Sequence, residues 1–512
     1  ATRKSWTGRA HGISVCTMGA ATSTSSSNEP TAAELSSLLA TLGSASAPPD
    51  AKTAAFAILN AHFVPRLSPA QKLAAVAAVD VQRYVPWSPR APPPQASTLP
   101  AGVIADKVRG LVFGAALGDA TGLATEFLSP DQVRDFYGDG FPYSPRPTRV
   151  FPDTHRMMWA PGDWTDDTDQ LVLVLQSLLH TGGHGDPADF AARLRAWCAH
   201  GFPDLGDESA AGLGRHTKAV AHHARFLESP VAAAREVWLH GGRTSAANGA
   251  VMRAAVAGVP FFWEARTAET SGKALCCATH TDPRCVASCL VVALCVRGML
   301  RGVPMEAPGD VDALIHGAVV ATEEALCPRA GACAPAHAAA AAARSGGPAG
   351  DAASSDDDAA VDAASSAAAI AELRTLVAGL AGKHNCPASE AAALSSLDLA
   401  DPRSIGYTYK CLGAGLWALG CAPAADGTAA ATAASVAPGS DGVFAATLRR
   451  VVAEGGDADT NGAVAGALVG CRVGFSGLPA TWVAELEHAS WLEAHVQKLL
   501  VMMGITGSAT SS

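Results

Sequence analysis

From about Ala101 onward the chain is written in alanine, glycine and leucine, in short-looped segments with few alternating β-branched stretches. Strands need period-two alternation and helices do not, so this pattern predicts an all-α body. With 49% hydrophobic and 16% charged residues over 512 positions, it predicts a sizeable buried core in one large domain or two to three ordinary ones. The run "CLVVALCVRGML" stops at Arg297, short of the ~18 apolar residues a membrane span needs, and reads as a buried helix. A net charge of −10 argues against a nucleic-acid or anionic-membrane partner while leaving room for a local phosphate pocket.

Composition divides the rest. Residues 1–31 contain Arg3, Lys4 and Arg9, many Ser and Thr, and no acid before Glu29. That fits a chloroplast or mitochondrial transit peptide on an otherwise soluble intracellular protein, or a disordered tail. Amphipathic pieces over 32–85 predict a small helical N-terminal extension, and "PWSPRAPPPQASTLP" closes it as a Pro-rich linker over 86–100. The main domain is expected over 101–512, interrupted by low-complexity inserts at about 334–368 and 422–441 that lack bulky apolar residues and read as disordered loops. The thirteen cysteines contain no CxxC pair, and Cys285, Cys289 and Cys295 sit in apolar helical patterns as reduced thiols. A zinc set of His280, Cys285 and Cys289 lacks the fixed spacing of such sites.

Five segments stand out from the alanine background. "GDWTDDTDQ" offers Thr165 as an N-cap with Asp166 and Asp167 in the first helical turn, where acids stabilise by ~0.3–1 kcal/mol each, so capping alone accounts for it. "GGDADTNGA" repeats the design: Asp457 and Asp459 in a glycine-flanked turn, then Thr460 and a helix of small residues. Two like charges 4 Å apart repel by about 4 kcal/mol at an effective dielectric of about 20, so convergence of these acids calls for a cation. Carboxylate and hydroxyl oxygens suit hard ions such as Mg²⁺ or Mn²⁺. "FGAALGDATGLATEF" has no bulky residue between Phe113 and Leu123 except Leu117, which permits close helix packing or backbone approach to a ligand at Gly118 and Asp119, and it ends on the candidate acid Glu126. "TSAANGAVMR" presents Ser245, Asn248, Gly249 and Arg253 before an expected helix start, a place for a diphosphate or simply an N-cap. "THTDPR" is a helix-start signal carrying His280, a ligand contact or a satisfied core histidine.

In this order the five segments resemble the ADP-ribosylglycohydrolase family, which includes the dinitrogenase-reductase-activating glycohydrolase. "SIGYTYKCLGAGLWAL" resembles its penultimate region, and the likeness covers roughly 105–325 and 370–477. The resemblance implies an all-α fold with a two-metal site, two Mg²⁺ or in some members Mn²⁺, held by Thr165, Asp166, Asp167, Asp457, Asp459 and Thr460. It implies Glu126 at the active site, Ser245 and Asn248 on the diphosphate, and His280 near the ADP-ribose. Ala246 and Ala247 stand where relatives often place Gly or an aromatic.

The activity implied is hydrolysis at C1″ of ADP-ribose on a protein side chain, arginine first, with Glu126 or Asp167 as general base or water-steering group at an oxocarbenium-like transition state. A monomer acting on an ADP-ribosylated protein or another ADP-ribose conjugate is expected. Hydrolysis of a small ADP-ribose derivative is the second reading. A non-catalytic, crystallin-like ADP-ribose binder is the third, and all six metal-ligand positions being filled argues against it.

Overall fold

In a computed structural model, which describes residues 90–307, 309–328, 356–383, 387–421 and 442–505, the chain is helical throughout. Among the described residues there is no strand, and one isolated bridge pairs Ala247 with Tyr407. The first helices are α1 (Ala101–Gly122), α2 (Pro130–Tyr137), α3 (Asp166–His180), α4 (Pro187–His200), α5 (Arg215–Ala221) and α6 (Pro230–His240). Next come α7 (Ala265–Cys277), α8 (Pro283–Leu300), α9 (Asp310–Leu326), α10 (Asp356–Leu380) and α11 (Pro387–Ser395). The last are α12 (Thr408–Cys421), α13 (Val443–Ala453), α14 (Ala458–Val473), α15 (Ala480–Glu485) and α16 (Ala489–Met502).

The centre is the pair α1 and α14. Gly110, Gly114, Gly118 and Gly122 meet Gly470, Gly466, Gly462 and Ala458 in that order, so the helices run antiparallel. A Cβ at Gly114 would lie 2.2 Å from the Gly466 carbonyl oxygen, and one at Gly118 only 1.9 Å from that of Gly462. Glycine every fourth residue gives each helix a face without side chains, and backbone packs directly on backbone. The approach extends along most of both helices, so it fixes their register. It sets the C-terminal end of α1 beside the N-terminal end of α14.

Around this pair lie α3, α8 and α12. α8 is apolar on every side and accordingly buried, from Cys285 to Val296 without interruption. It and Ala360–Leu380 are long and apolar enough by composition to cross a membrane, with mean hydropathies of 1.6 and 1.2. α8 is 83% buried within the protein, as expected for a core helix. In α10 the apolarity is mostly alanine, and Ile370, Leu373 and Leu380 are its residues buried in the main core.

Two expected boundaries shift. The chain is α-helical from Asp356, so 356–368 belongs to α10 rather than to a loop. Alanine is the best helix former, and the helix is anchored where the Tyr409 hydroxyl donates to the Ala369 carbonyl at 2.7 Å. The linker also lies against the domain over its described part. Arg90 N–H bonds the Met502 carbonyl at 3.2 Å, Ser97 Oγ donates to that of Leu300 at 2.7 Å, and Ala96 is buried. The expected leader, the extension over 32–85, the insert over 422–441 and residues 334–355 of the other insert lie outside the described residues.

Candidate active site

The acidic motifs meet where α1, α3 and α14 end together. Thr165 caps α3, with its Oγ1 accepting from Asp167 N–H, and Asp166 and Asp167 form the first turn. Across from them, Gly455 and Gly456 take left-handed backbone (φ 67° and 71°), a turn that aims Asp457 and Asp459 back towards α3. Phe127 N–H donates to the Gly456 carbonyl at 2.6 Å, and Gly456 N–H to that of Leu128 at 2.9 Å, which ties the segment after α1 to this turn.

Two groups of carboxylates result, sharing Asp459. One oxygen each from Asp119, Asp167 and Asp459 lie within 4.8 Å of one another, and so do oxygens from Glu126, Asp457 and Asp459. Thr165 Oγ1 lies 3.2 Å from an oxygen of Asp167 and 3.4 Å from one of Asp459. The Thr460 side chain is a hydrogen-bond partner of Asp167 and of Asp457.

Burial pushes these acids up. Asp119 rises to about 7, held back from rising further by its hydrogen bonds from Thr168 and Thr165. Asp457 rises to about 6, through burial and then the charge of Glu126. Asp167 and Asp459 stand well above the usual carboxylate range, through burial and then the neighbouring acids. Asp167 Oδ1 is buried with no hydrogen-bond partner. Oxygen-only donors, mutual repulsion and an orphaned carboxylate oxygen together fit a hard divalent cation.

Not every expected ligand joins these groups. Asp166 is buried outside both, its Oδ2 accepting from Gln170 Nε2 at 2.7 Å, because the next turn of α3 offers it that amide. Asp119, expected to face a ligand, instead caps α3. It accepts from Thr165 N–H at 3.0 Å, Thr168 N–H at 3.0 Å and Thr168 Oγ1 at 2.6 Å, and it takes a place in the first carboxylate group. Gly118 faces Gly462, so its role is helix packing. The other two acids of the motif are held by tryptophans: Asp163 accepts from Trp164 N–H, and Asp169 from the indole N–H groups of Trp164 and Trp197.

The 243–253 segment borders the acids. It passes through 3₁₀ turns at Val251–Arg253 and Ala255–Gly258 instead of an α-helix start. Asn248 Nδ2 donates to Asp457 at 2.8 Å, which joins this segment to the carboxylates. Arg253 is buried and donates to Gln170 Oε1 at 2.5 Å, the Gly249 carbonyl at 2.8 Å and Thr279 Oγ1 at 2.6 Å. Thr279 Oγ1 also lies 2.8 Å from His280 Nδ1, and the two are hydrogen-bonded. His280 Nε2 is buried without a hydrogen-bond partner, beside Gly249. Burial holds the ring well below its usual pKa and so neutral. Ser245 Oγ pairs with His216 Nδ1 at 3.0 Å, and the other nitrogen of His216 bonds the Thr279 carbonyl at 3.0 Å. The DP signal behaves as expected, Asp282 capping α8.

Sequence reasoning missed His155 and Arg156. His155 Nε2 lies 2.5 Å from Glu126 Oε2, while Arg156 bonds the carbonyls of Ala124 and Glu126. Phe127, beside them, is a non-glycine residue in the left-handed region (φ 60°), a conformation that costs roughly 1–2 kcal/mol. The segment between α2 and α3 has no periodicity, so nothing in the sequence marks these contacts.

An ADP-ribosylglycohydrolase family model matches residues 100–508 of the chain. The chain belongs to the ADP-ribosylglycohydrolase family. It is 26% identical over 216 residues to the "ADP-ribosylarginine hydrolase Tri1" of Serratia proteamaculans, covering 40% of this chain and 50% of that protein. It is 26% identical over 219 residues to the "ADP-ribosyl-[dinitrogen reductase] glycohydrolase" of Rhodospirillum rubrum, covering 41% and 64%. The chain thus spans about half to two thirds of the length of these curated relatives. A solved structure titled "ADP-ribosylglycohydrolase-related protein complex" is similar at 23% identity with a TM-score of 0.44, covering 78% of this chain and 99% of that one. Within this ADP-ribosylglycohydrolase chain, the Asn248 loop touches both the carboxylates, through Asp457, and His280, through Gly249.

Proposed function

We propose that the chain is a metal-dependent hydrolase that cleaves the C1″ glycosidic bond of ADP-ribose on a protein side chain, with arginine the favoured attachment. The observation that carries this reading is the pair of carboxylate groups, buried but for the half-buried Asp457, joined through Asp459. The names of the two relatives support the choice of bond and of side chain.

Asp119, Asp167 and Asp459, with Thr165, are suited to hold one cation, and Glu126, Asp457 and Asp459, with Thr460, a second; Asp166 adds a further negative charge next to the first group. Mg²⁺ or Mn²⁺, when bound, supplies polarisation of coordinated oxygens and neutralises the mutually repelling acids. The rest is done by the chain. His280 offers its unpartnered Nε2 to a polar atom of a ligand, and Asn248 holds Asp457 in place. Glu126 and Asp167 are the carboxylates that can take a proton from water or stabilise the cationic sugar.

The test offers ADP-ribosyl-arginine, ADP-ribosyl-serine and small ADP-ribose conjugates with Mg²⁺, Mn²⁺ or a chelator. Release of ADP-ribose that depends on a divalent ion is expected, fastest from arginine. Absence of turnover with either metal on every substrate would refute the enzymatic reading and leave a binding protein.

A further inference from the structure

We propose that Phe127, held in place by His155, forms the platform on which the leaving side chain of the substrate rests, and that this platform selects a planar cation, the guanidinium of arginine. Phe127 is 57% exposed, although Ala124, Thr125, Glu126 and Leu128 around it are buried, three of the four almost completely. A large aromatic in that position, on left-handed backbone, contributes little to the core and spends conformational energy to face solvent.

The neighbouring contacts hold it there. Its N–H is fixed on the Gly456 carbonyl, and Arg156 clamps the carbonyls of Ala124 and Glu126 on either side of the turn. The ring meets that of His155 with centroids 5.0 Å apart. His155 in turn bonds Glu126, so aromatic surface and a carboxylate of the second acidic group stand side by side.

That combination suits one kind of leaving group. A guanidinium is flat, weakly hydrated and delocalised; it gains from an aromatic face and from a nearby carboxylate together. A serine oxygen gains from neither. A lysine ammonium, compact and strongly hydrated, matches the aromatic face less well. His155 is a positioning residue here, since it touches the substrate through Phe127 and Glu126.

This rests on the reading that the site cleaves ADP-ribose conjugates, so the experiment separates the two. Binding of ADP-ribose in Mg²⁺, which needs no turnover, tests the underlying reading. The ratio of kcat/KM for ADP-ribosyl-arginine to that for ADP-ribosyl-serine, in wild type, Phe127→Ala and Phe127→Trp, tests the platform. Phe127→Ala is expected to lower the ratio about tenfold, mainly through KM for the arginine conjugate, with ADP-ribose affinity unchanged. Phe127→Trp should restore it. An equal loss on both conjugates, or a loss of ADP-ribose binding in Phe127→Ala, would overturn the platform and make Phe127 structural. If wild type binds ADP-ribose and turns over neither conjugate, the platform also falls. If wild type does not bind ADP-ribose at all, the underlying reading fails first and this inference with it.

Discussion

Replacing Gly118 with alanine tests whether the backbone contact between α1 and α14 builds the site. The new Cβ would stand 1.9 Å from the Gly462 carbonyl oxygen and 2.4 Å from its carbon, where contacts under 3.0 Å essentially never occur. Neither helix can rotate away, because Gly114 and Gly122 make equally close approaches one turn to either side. The pair must part by more than about 1 Å. Overpacking of this kind costs about 1–3 kcal/mol or more, against a gain of roughly 1 kcal/mol from alanine's better helix propensity. A net loss is expected in urea unfolding under chelator, on the order of 1–2 kcal/mol. The separation also acts on chemistry, since Asp119 follows Gly118 directly and shares an oxygen cluster with Asp459 on the opposite helix. Mn²⁺ affinity should therefore fall as well. Gly317→Ala in α9 is the control: nothing lies within 4 Å of its Cβ, so that variant should gain stability, by up to about 1 kcal/mol. If Gly118→Ala matched wild type in stability and in Mn²⁺ affinity, direct backbone packing would not be what sets the site.

Three further outcomes are expected. Asp459→Ala should abolish metal-dependent turnover with helical content intact by circular dichroism; a fully active variant would refute a shared carboxylate at the centre of both groups. In chelator, stability should fall as pH rises. Asp119 titrates at about 7 folded against 3.8 unfolded, so the native state holds the extra proton between those values. The penalty is absent below pH 3.8 and complete above pH 7, on the order of 4 kcal/mol for this group alone. Thermal unfolding at pH 5.5 and 7.5 should show the drop, Mg²⁺ should narrow it, and a flat profile would contradict the repulsion described. Arg253→Met should leave Gln170, Gly249 and Thr279 without their shared donor, at a cost of about 1–3 kcal/mol for each group left unpaired. ADP-ribose binding, read by calorimetry, should weaken, and unchanged affinity would separate Arg253 from the site.

The all-α architecture was legible because absence of alternation and abundance of alanine are local properties, the same at every position of a helix. TDDT and GGDADT were legible as a pair because each repeats the same helix-start chemistry. Their meeting was not, since periodicity places residues on a face and says nothing about which face another helix presents. The glycine spacing permitted a close partner for α1 without naming it. Gly110 to Gly122 and Ala458 to Gly470 carry matching four-residue stripes, and it is the antiparallel fit of one on the other that brings Asp119 within reach of Asp459. Two acids lie differently from expectation. Asp166 follows Thr165 in the motif, yet the rise of α3 turns it towards Gln170. Asp119 looked like a residue facing a ligand, and its position one residue beyond the Gly118–Gly462 contact carries it to the start of α3. The order of residues in a motif thus marks candidate acids, while helix register decides which of their oxygens come together.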